Sequence, residues 1–97
     1  MHYNFQWDPK KDRTNRKKHG ISFREATQVF RDPVAMTLFN DEHSHSEERW
    51  ITMGQILQSQ TVVVVHTFVE QSDNIAIIRI ISARHATKLE TQQYEGS

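Results

Sequence analysis

The 97-residue sequence contains no cysteine, only three glycines and only two prolines. Without cysteine, neither a disulfide framework nor a thiolate zinc site can form, which fits a reducing compartment. With so few glycines, a glycine-rich loop that cradles a phosphate is excluded, and no Gly-x-Ser-x-Gly nucleophile motif is present. These absences remove several common classes of enzyme from consideration.

Long hydrophobic runs are also missing from the sequence. No apolar run exceeds four residues, as in the four valines of residues 62–65, whereas a membrane-spanning helix needs about 20 apolar residues. The N-terminus lacks the apolar stretch of a secretory signal. With 36% hydrophobic and 25% charged residues, the composition predicts one globular domain over residues 1–97, located in the cytoplasm.

The formal net charge is zero, but the charges are distributed unevenly along the chain. Residues 1–24 hold seven Lys or Arg and two Asp, whereas residues 25–73 hold two Arg and eight acidic residues. A basic segment followed by an acidic one suggests a surface for nucleic acid or another charged partner. A solvated helix face is the alternative, and the charges alone do not decide between them.

Capping signals predict three helices. Asp8-Pro9 can start a first helix, which runs to about residue 18 and ends before Gly20. Ser-x-x-Glu and Thr-x-x-Glu capping boxes begin a second helix at Ser22 and a short C-terminal helix at Thr87.

Alternating and β-branched segments predict the strands. They cover residues 3–7, 34–39, 48–56, 61–68 and 75–82. Short turns join neighbouring strands of the second half, which favours antiparallel pairing. The order predicts an α+β fold in which a mainly antiparallel sheet carries two N-terminal helices and a short C-terminal helix.

Two polar side chains interrupt the predicted strands. By the two-residue period, Arg79 shares a face with Ile77 and Ile81, and a buried arginine requires an acid, a cavity or a ligand. A structural salt bridge is the alternative for Arg79 and for Arg84, which follows the strand. His66 ends the valine run, where either a satisfied core histidine or a general acid or base is consistent with the pattern.

One segment could in principle hold a metal. His43 and His45 lie among glutamates, but two histidines at i and i+2 lack the spacing of a defined site such as His-Glu-x-x-His. The sequence therefore predicts neither a metal nor a cofactor. A metal-dependent hydrolase built on these histidines is the weakest alternative.

Histidine and arginine without a metal suit the cleavage of RNA. The reaction needs a base for the 2′-hydroxyl, cations that stabilise charge on the phosphorane, and an acid at the leaving 5′-oxygen. The RNA supplies its own nucleophile. Trp7 and Tyr94 are candidates for stacking on bases, with a core position as the alternative for Trp7.

Short blocks over nearly the whole chain resemble the BrnT toxin family. The blocks are Phe5-Gln-Trp-Asp8, Lys10, Asn15, Lys18-His-Gly-Ile-Ser-Phe23 with Glu25-Ala26, Glu48-Arg49 with Gly54, Val63-Val-Val-His-Thr67, and Arg79-Ile-Ile-Ser-Ala-Arg84 with Ala86-Thr87, Glu90 and Tyr94-Glu95. Each block is weak by itself, but together and in this order they are fairly specific.

The resemblance implies a RelE-like fold and a type II toxin–antitoxin endoribonuclease that arrests growth. It also implies neutralisation by a BrnA-type antitoxin, through which the complex binds operator DNA. Carried onto this sequence, it places the active site at Lys18, Arg49, His66, Arg79 and Arg84. From their chemistry we predict that His66, Arg79 and Arg84 are catalytic and that Lys18 and Arg49 bind RNA, together with Lys17 and Tyr94. A non-catalytic antitoxin-binding module that acts in operon repression is the alternative.

Overall fold

The computed structural model describes residues 1–41, 47–57 and 60–96. Its elements, in order, are β1 (His2–Gln6), α1 (Pro9–His19), α2 (Phe23–Ala26), a 3-10 turn (Thr27–Arg31), β2 (Met36–Phe39), β3 (Trp50–Ile56), β4 (Gln60–His66), β5 (Val69–Glu70), β6 (Ile75–His85) and α3 (Lys88–Glu95). Across the described residues, no helix is long and apolar enough to cross a membrane.

The predicted starts of the three helices and the predicted end of the first are confirmed. The Asp8 side chain accepts a hydrogen bond from the Lys10 N–H, and Gly20 ends α1 in the left-handed conformation with φ 73°. Both capping boxes are formed, at Ser22 and at Thr87. Because each cap satisfies backbone groups that the helix itself leaves unpaired, these local signals fix where α1, α2 and α3 begin.

The second helix, α2, ends at Ala26, well before Asp32-Pro33, a dipeptide at which a helix ordinarily ends. After one turn of α2 the chain tightens into the 3-10 turn, which places Val29 against Gly54 of β3. A Cβ on Gly54 would lie 3.1 Å from the Val29 Cβ and 3.2 Å from the Val29 carbonyl oxygen. The absence of a side chain at Gly54 therefore permits the close approach of helix and sheet.

The sheet has the order β1-β6-β4-β3-β2, with β5 also paired to β6. Only the β1–β6 pairing is parallel among the described strands; the others are antiparallel. The predicted α+β class with a mainly antiparallel sheet is thus confirmed. The two-residue strand β5 and the last three residues of β6 were not predicted, since neither has an alternating pattern of its own.

A β-bulge in β6 determines which side chains are buried. Val65 pairs with Ser82 and His66 pairs with Ile80, so Ile81 is the extra residue. The buried positions are Ala76, Ile78 and Ile80 before the bulge and Ala83 after it. The prediction that Arg79 shares a buried stripe with Ile77 and Ile81 is therefore wrong, because the opposite parity faces the core.

The two faces of the sheet differ in their cover. On one side, here called the helix face, strand residues such as Val62 and Ile78 pack against Phe23 and Val29 of the helical segments. The other side, here called the open face, carries Arg79 and Arg84 and is covered in part by α3 through Tyr94. The arginines of β6 therefore lie on the face that the N-terminal helices leave uncovered.

Asn15 joins α1 to the part of β6 that lies beyond the end of β1. Its side chain donates to the Ala83 carbonyl at 2.7 Å and accepts from the Ala83 N–H at 3.1 Å, as a neighbouring strand would. It also donates to the Ile21 carbonyl at 3.1 Å. This buried amide holds the basic helix α1 beside the bulge.

Candidate active site

Arg79 is fixed at its backbone and exposed at its side chain. Its N–H donates to Thr67 Oγ1 at 3.2 Å, and its carbonyl accepts from the Thr67 N–H at 2.9 Å. The side chain is 44% exposed on the open face, opposite Gln6 of β1. The acid that a strand arginine was expected to need is present, because Glu47 pairs with the Arg79 Nη2.

Glu47 links Arg79 to Arg49. Its Oε1 contacts the Arg79 Nη2 and lies 3.7 Å from the Arg49 Nη2. Glu47 and Arg79 border a groove of about 370 Å³ that is also lined by Gln6, Glu48, Thr67, Phe68, Val69 and Ile77. Arg49 and Arg79, which come from two separate parts of the sequence, therefore meet at one carboxylate.

Arg84 lies on the same face, closer to α3. Its two Nη atoms donate to the Glu90 carboxylate at 2.8 and 3.0 Å, and Glu90 also closes the capping box of α3. The hydrogen bond to Glu90 is the main cause that raises the pKa of Arg84. The hydrogen bond from Arg84, with that from the Thr87 N–H, lowers the pKa of Glu90 to about 2.

Lys18 comes close to the bulge of β6. A groove of about 340 Å³ runs between α1 and the strand and is lined by Lys10, Lys11, Thr14, Asn15, Lys18, His19, Ile81 and Ser82. Since Ile81 and Ser82 lie between Arg79 and Arg84 in β6, the structure places Lys18 beside the segment that carries both arginines. Lys17 instead lines an outer surface of α1 with Lys10, Arg13 and Arg16.

His66 lies on the helix face and is only 2% exposed. Its Nδ1 donates to the Thr67 carbonyl at 2.9 Å, so its Nε2, 2.7 Å from Thr52 Oγ1, accepts from that hydroxyl. Thr52 Oγ1 lies 2.9 Å from the Thr37 hydroxyl, and the Phe30 ring packs edge-on against the imidazole. Burial lowers the pKa of His66. The predicted acid–base role of His66 has no support in this placement, since the sheet separates the imidazole from the arginines.

Tyr94 and Trp7 take up core positions. Tyr94 is buried and its hydroxyl donates to Asp32; burial first, and then this bond, raise the pKa of Tyr94 to about 12. Although burial alone would raise the pKa of Asp32, hydrogen bonds from Tyr94 and from two backbone N–H groups lower it. Trp7 is half-buried and packs edge-on against Phe23. Neither ring is placed as a free stacking platform for RNA.

The described residues contain no group of three His, Asp or Glu side chains that could hold a metal ion. His43 and His45, the histidines considered as metal ligands, lie outside the described residues. His19, which was not predicted as a site residue, lines the groove between α1 and β6. The Lys18-His19 pair at the end of a basic helix was the available signal.

The Arg84–Glu90 ion pair predicts how stability depends on pH. Because the folded pKa of Glu90 lies near 2 and its ordinary value is 4.5, the contribution of Glu90 is complete above pH 4.5 and is lost as the pH falls towards 2. We expect Glu90→Gln to cost about 1–2 kcal/mol at neutral pH and to remove this acid-dependent loss. Urea unfolding from pH 2 to 7 measures both quantities.

Glu95→Gln, at the end of the same helix, is the matched control and should retain the pH dependence of the wild type. The free energies of unfolding of the wild type and Glu90→Gln are compared at each pH. If the difference between them stays constant from pH 2 to pH 7, the Arg84–Glu90 pair does not stabilise the fold in the way the geometry indicates.

The fold and the site define a class of protein: a small α+β domain whose sheet presents arginines on its open face and holds a basic helix beside the strand that carries them. A family model described as the ribonuclease toxin BrnT of type II toxin–antitoxin systems matches residues 7–90. The chain therefore belongs to the BrnT family, as its sequence motifs predicted.

The fold is also that of a solved structure. The crystal structure of the Brucella abortus ribonuclease toxin BrnT superposes with a TM-score of 0.66, covering 91% of this chain and 100% of that chain at 21% sequence identity. The comparison with curated proteins finds no relative. At this level of identity the similarity to the solved structure establishes the fold, and the family assignment rests on the family model.

Proposed function

We propose that this BrnT-family protein is an endoribonuclease that cleaves RNA on its open face without a metal. The observation that carries the proposal is that Arg79 and Arg84 lie on the same exposed side of β6, with Lys18 beside Ile81 and Ser82, which lie between them in the sequence. Clustered cations that face solvent suit a phosphodiester backbone, because they bind its charge and stabilise the further charge that develops during cleavage.

Each cation has a separate part in the proposal. Arg79 binds the phosphate that reacts, since Glu47 contacts one terminal nitrogen and a guanidinium offers five N–H donors. Arg84, held in place by Glu90, and Lys18, at the end of α1, contact the flanking backbone. Arg49 supports Arg79 through their shared carboxylate, and Lys17 adds to the positive field of α1.

His66 has a structural part in this proposal in place of proton transfer. Both of its ring nitrogens are hydrogen-bonded. Its partner Thr67 in turn binds the backbone N–H and the backbone carbonyl of Arg79. The imidazole thereby helps to fix the strand position from which Arg79 extends. Tyr94 likewise supports the sheet, as its hydroxyl bond to Asp32 ties α3 to the segment before β2.

The family also implies a protein partner. Toxins of type II systems are held by an antitoxin, and we propose a BrnA-type antitoxin that covers the open face and excludes RNA from it. The complex would contact operator DNA through the antitoxin, and free toxin would arrest growth by degrading RNA in the cytoplasm. Glu48, which precedes β3 and lies outside the ion pairs of Glu47, would offer a negative charge to a basic segment of such a partner.

The test of the function is direct. We expect the purified protein to cleave a single-stranded RNA in the presence of EDTA and to leave the matching 2′-deoxy oligonucleotide intact, because the 2′-hydroxyl is the nucleophile. Expression without the antitoxin should arrest growth. Protein that binds an antitoxin but neither cleaves RNA nor arrests growth would support the non-catalytic binding module instead. Activity abolished by EDTA would support a metal-dependent hydrolase.

A further inference from the structure

We propose that Glu47 is the general base of the reaction, an inference that rests on the ribonuclease function proposed above. Glu47 precedes β3 and reaches across the open face to Arg79 of β6, while its carboxylate also lies 3.7 Å from the Arg49 Nη2. In the described part of the chain, it is the carboxylate that contacts Arg79. The base is therefore placed next to the cation that binds the reacting phosphate.

The two contacts leave one carboxylate oxygen for the substrate. Within the described residues, both arginines contact Oε1, and the Glu47 side chain is 34% exposed. Glu47 lines the groove that Thr67 and Phe68 also line. Because Arg79 holds both Oε1 and the phosphate, the distance from Oε2 to a ribose beside that phosphate is restricted, as proton transfer requires.

The proposed reaction uses only the RNA, Glu47 and one water molecule, which is regenerated. Oε2 of Glu47 takes the proton of the 2′-hydroxyl while the 2′-oxygen forms a bond to phosphorus. The bond between phosphorus and the 5′-oxygen breaks, and that oxygen takes a proton from water. Glu47 then gives its proton to the resulting hydroxide, and the products are a 2′,3′-cyclic phosphate and a 5′-hydroxyl.

The first test separates a base from a carboxylate that only neutralises the arginines. Glu47→Gln should lower kcat at least about 100-fold, which is the usual range for losing a general base. It should leave the affinity for a non-cleavable 2′-deoxy oligonucleotide unchanged or tighter, because a negative charge beside Arg49 and Arg79 is removed. A variant with raised kcat/KM would overturn the proposal and would show that Glu47 competes with the phosphate.

The second test uses chemical rescue. Glu47→Ala should lose activity, and added formate should restore part of kcat, because a small carboxylate can enter the vacated position; a purely structural role predicts no recovery. Glu47→Asp should retain more activity than Glu47→Gln. Glu70→Gln is the matched control, since Glu70 is an exposed carboxylate of β5 that is not among the lining residues of the groove.

The outcomes distinguish a failure of the base assignment from a failure of the ribonuclease function on which it rests. If the wild type cleaves RNA and Glu47→Gln cleaves it at an unchanged rate, the base assignment is wrong and the ribonuclease function stands. If the wild type leaves RNA intact, the proposed function fails first. Circular dichroism melting curves of the variants that coincide with that of the wild type ensure that the rates refer to folded protein.

Discussion

Replacing Arg79 with alanine is expected to lower kcat/KM for RNA cleavage roughly 100- to 1,000-fold, the loss observed when one donor to a developing oxyanion is removed. Arg79 is exposed, its backbone is held by Thr67, and its side chain meets Glu47 at the groove, where it is the cation among the described lining residues. Steady-state cleavage of a fluorogenic RNA measures the effect.

Two variants make the Arg79 result specific. Arg79→Lys keeps the charge but loses the planar fork, and we expect its activity to lie between those of Arg79→Ala and the wild type. Arg24→Ala removes an exposed arginine of α2, outside the open face, and should cleave RNA as the wild type does. Equal activity of Arg79→Ala and Arg24→Ala would mean that the reacting phosphate does not bind at Arg79.

The parts of the fold that the sequence predicted well depend on local signals. Asp8, Gly20, Ser22 and Thr87 each satisfy or terminate a helix within a few residues, so the caps are readable from spacing alone. The β-branched run before His66 predicts β4 for the same reason. The parity that places His66 with Val62 and Val64 also held, as all three are buried on the helix face.

The buried face of β6 could not be read from the sequence. Isoleucines occupy both parities of the strand, at Ile75 and Ile77 on one side and at Ile78 and Ile80 on the other, so the alternation does not select a face. The bulge at Ile81 then changes the parity before Ala83. Only the packing against the helices, which is a tertiary effect, determines that Arg79 faces outwards.

The contacts between the site residues could not be predicted from the sequence either, because they too depend on tertiary structure. Glu47 and Arg79 are 32 positions apart and meet because β3, β4 and β6 are neighbours, and no local pattern reports such a contact. Arg84 and Glu90 are six positions apart, and the capping box that orients Glu90 was visible. The sequence thus indicated the cations of the candidate site, whereas the contact between Glu47 and Arg79 required the structure.

Replacing His66 with alanine is expected to destabilise the fold by about 3–5 kcal/mol, a large part of the 5–15 kcal/mol that holds a typical domain together. The change opens a cavity beside Phe30 and leaves the Thr52 hydroxyl and the Thr67 carbonyl without their buried partner. Urea unfolding followed by circular dichroism measures the loss.

Two conservative variants decide whether His66 acts only through the fold. His66→Gln can accept from Thr52 as Nε2 does, and His66→Asn can donate to the Thr67 carbonyl as Nδ1 does, so each should be more stable than His66→Ala. Under conditions where these variants are folded, we expect both to cleave RNA within about tenfold of the wild-type rate, because a positioning residue contributes less than the 100-fold or more of a general acid or base. A stable His66→Gln or His66→Asn protein with kcat reduced 1,000-fold would instead assign proton transfer to the imidazole. Such a result would require the sheet to open between His66 and Arg79 during turnover, since the closed structure keeps them on opposite faces.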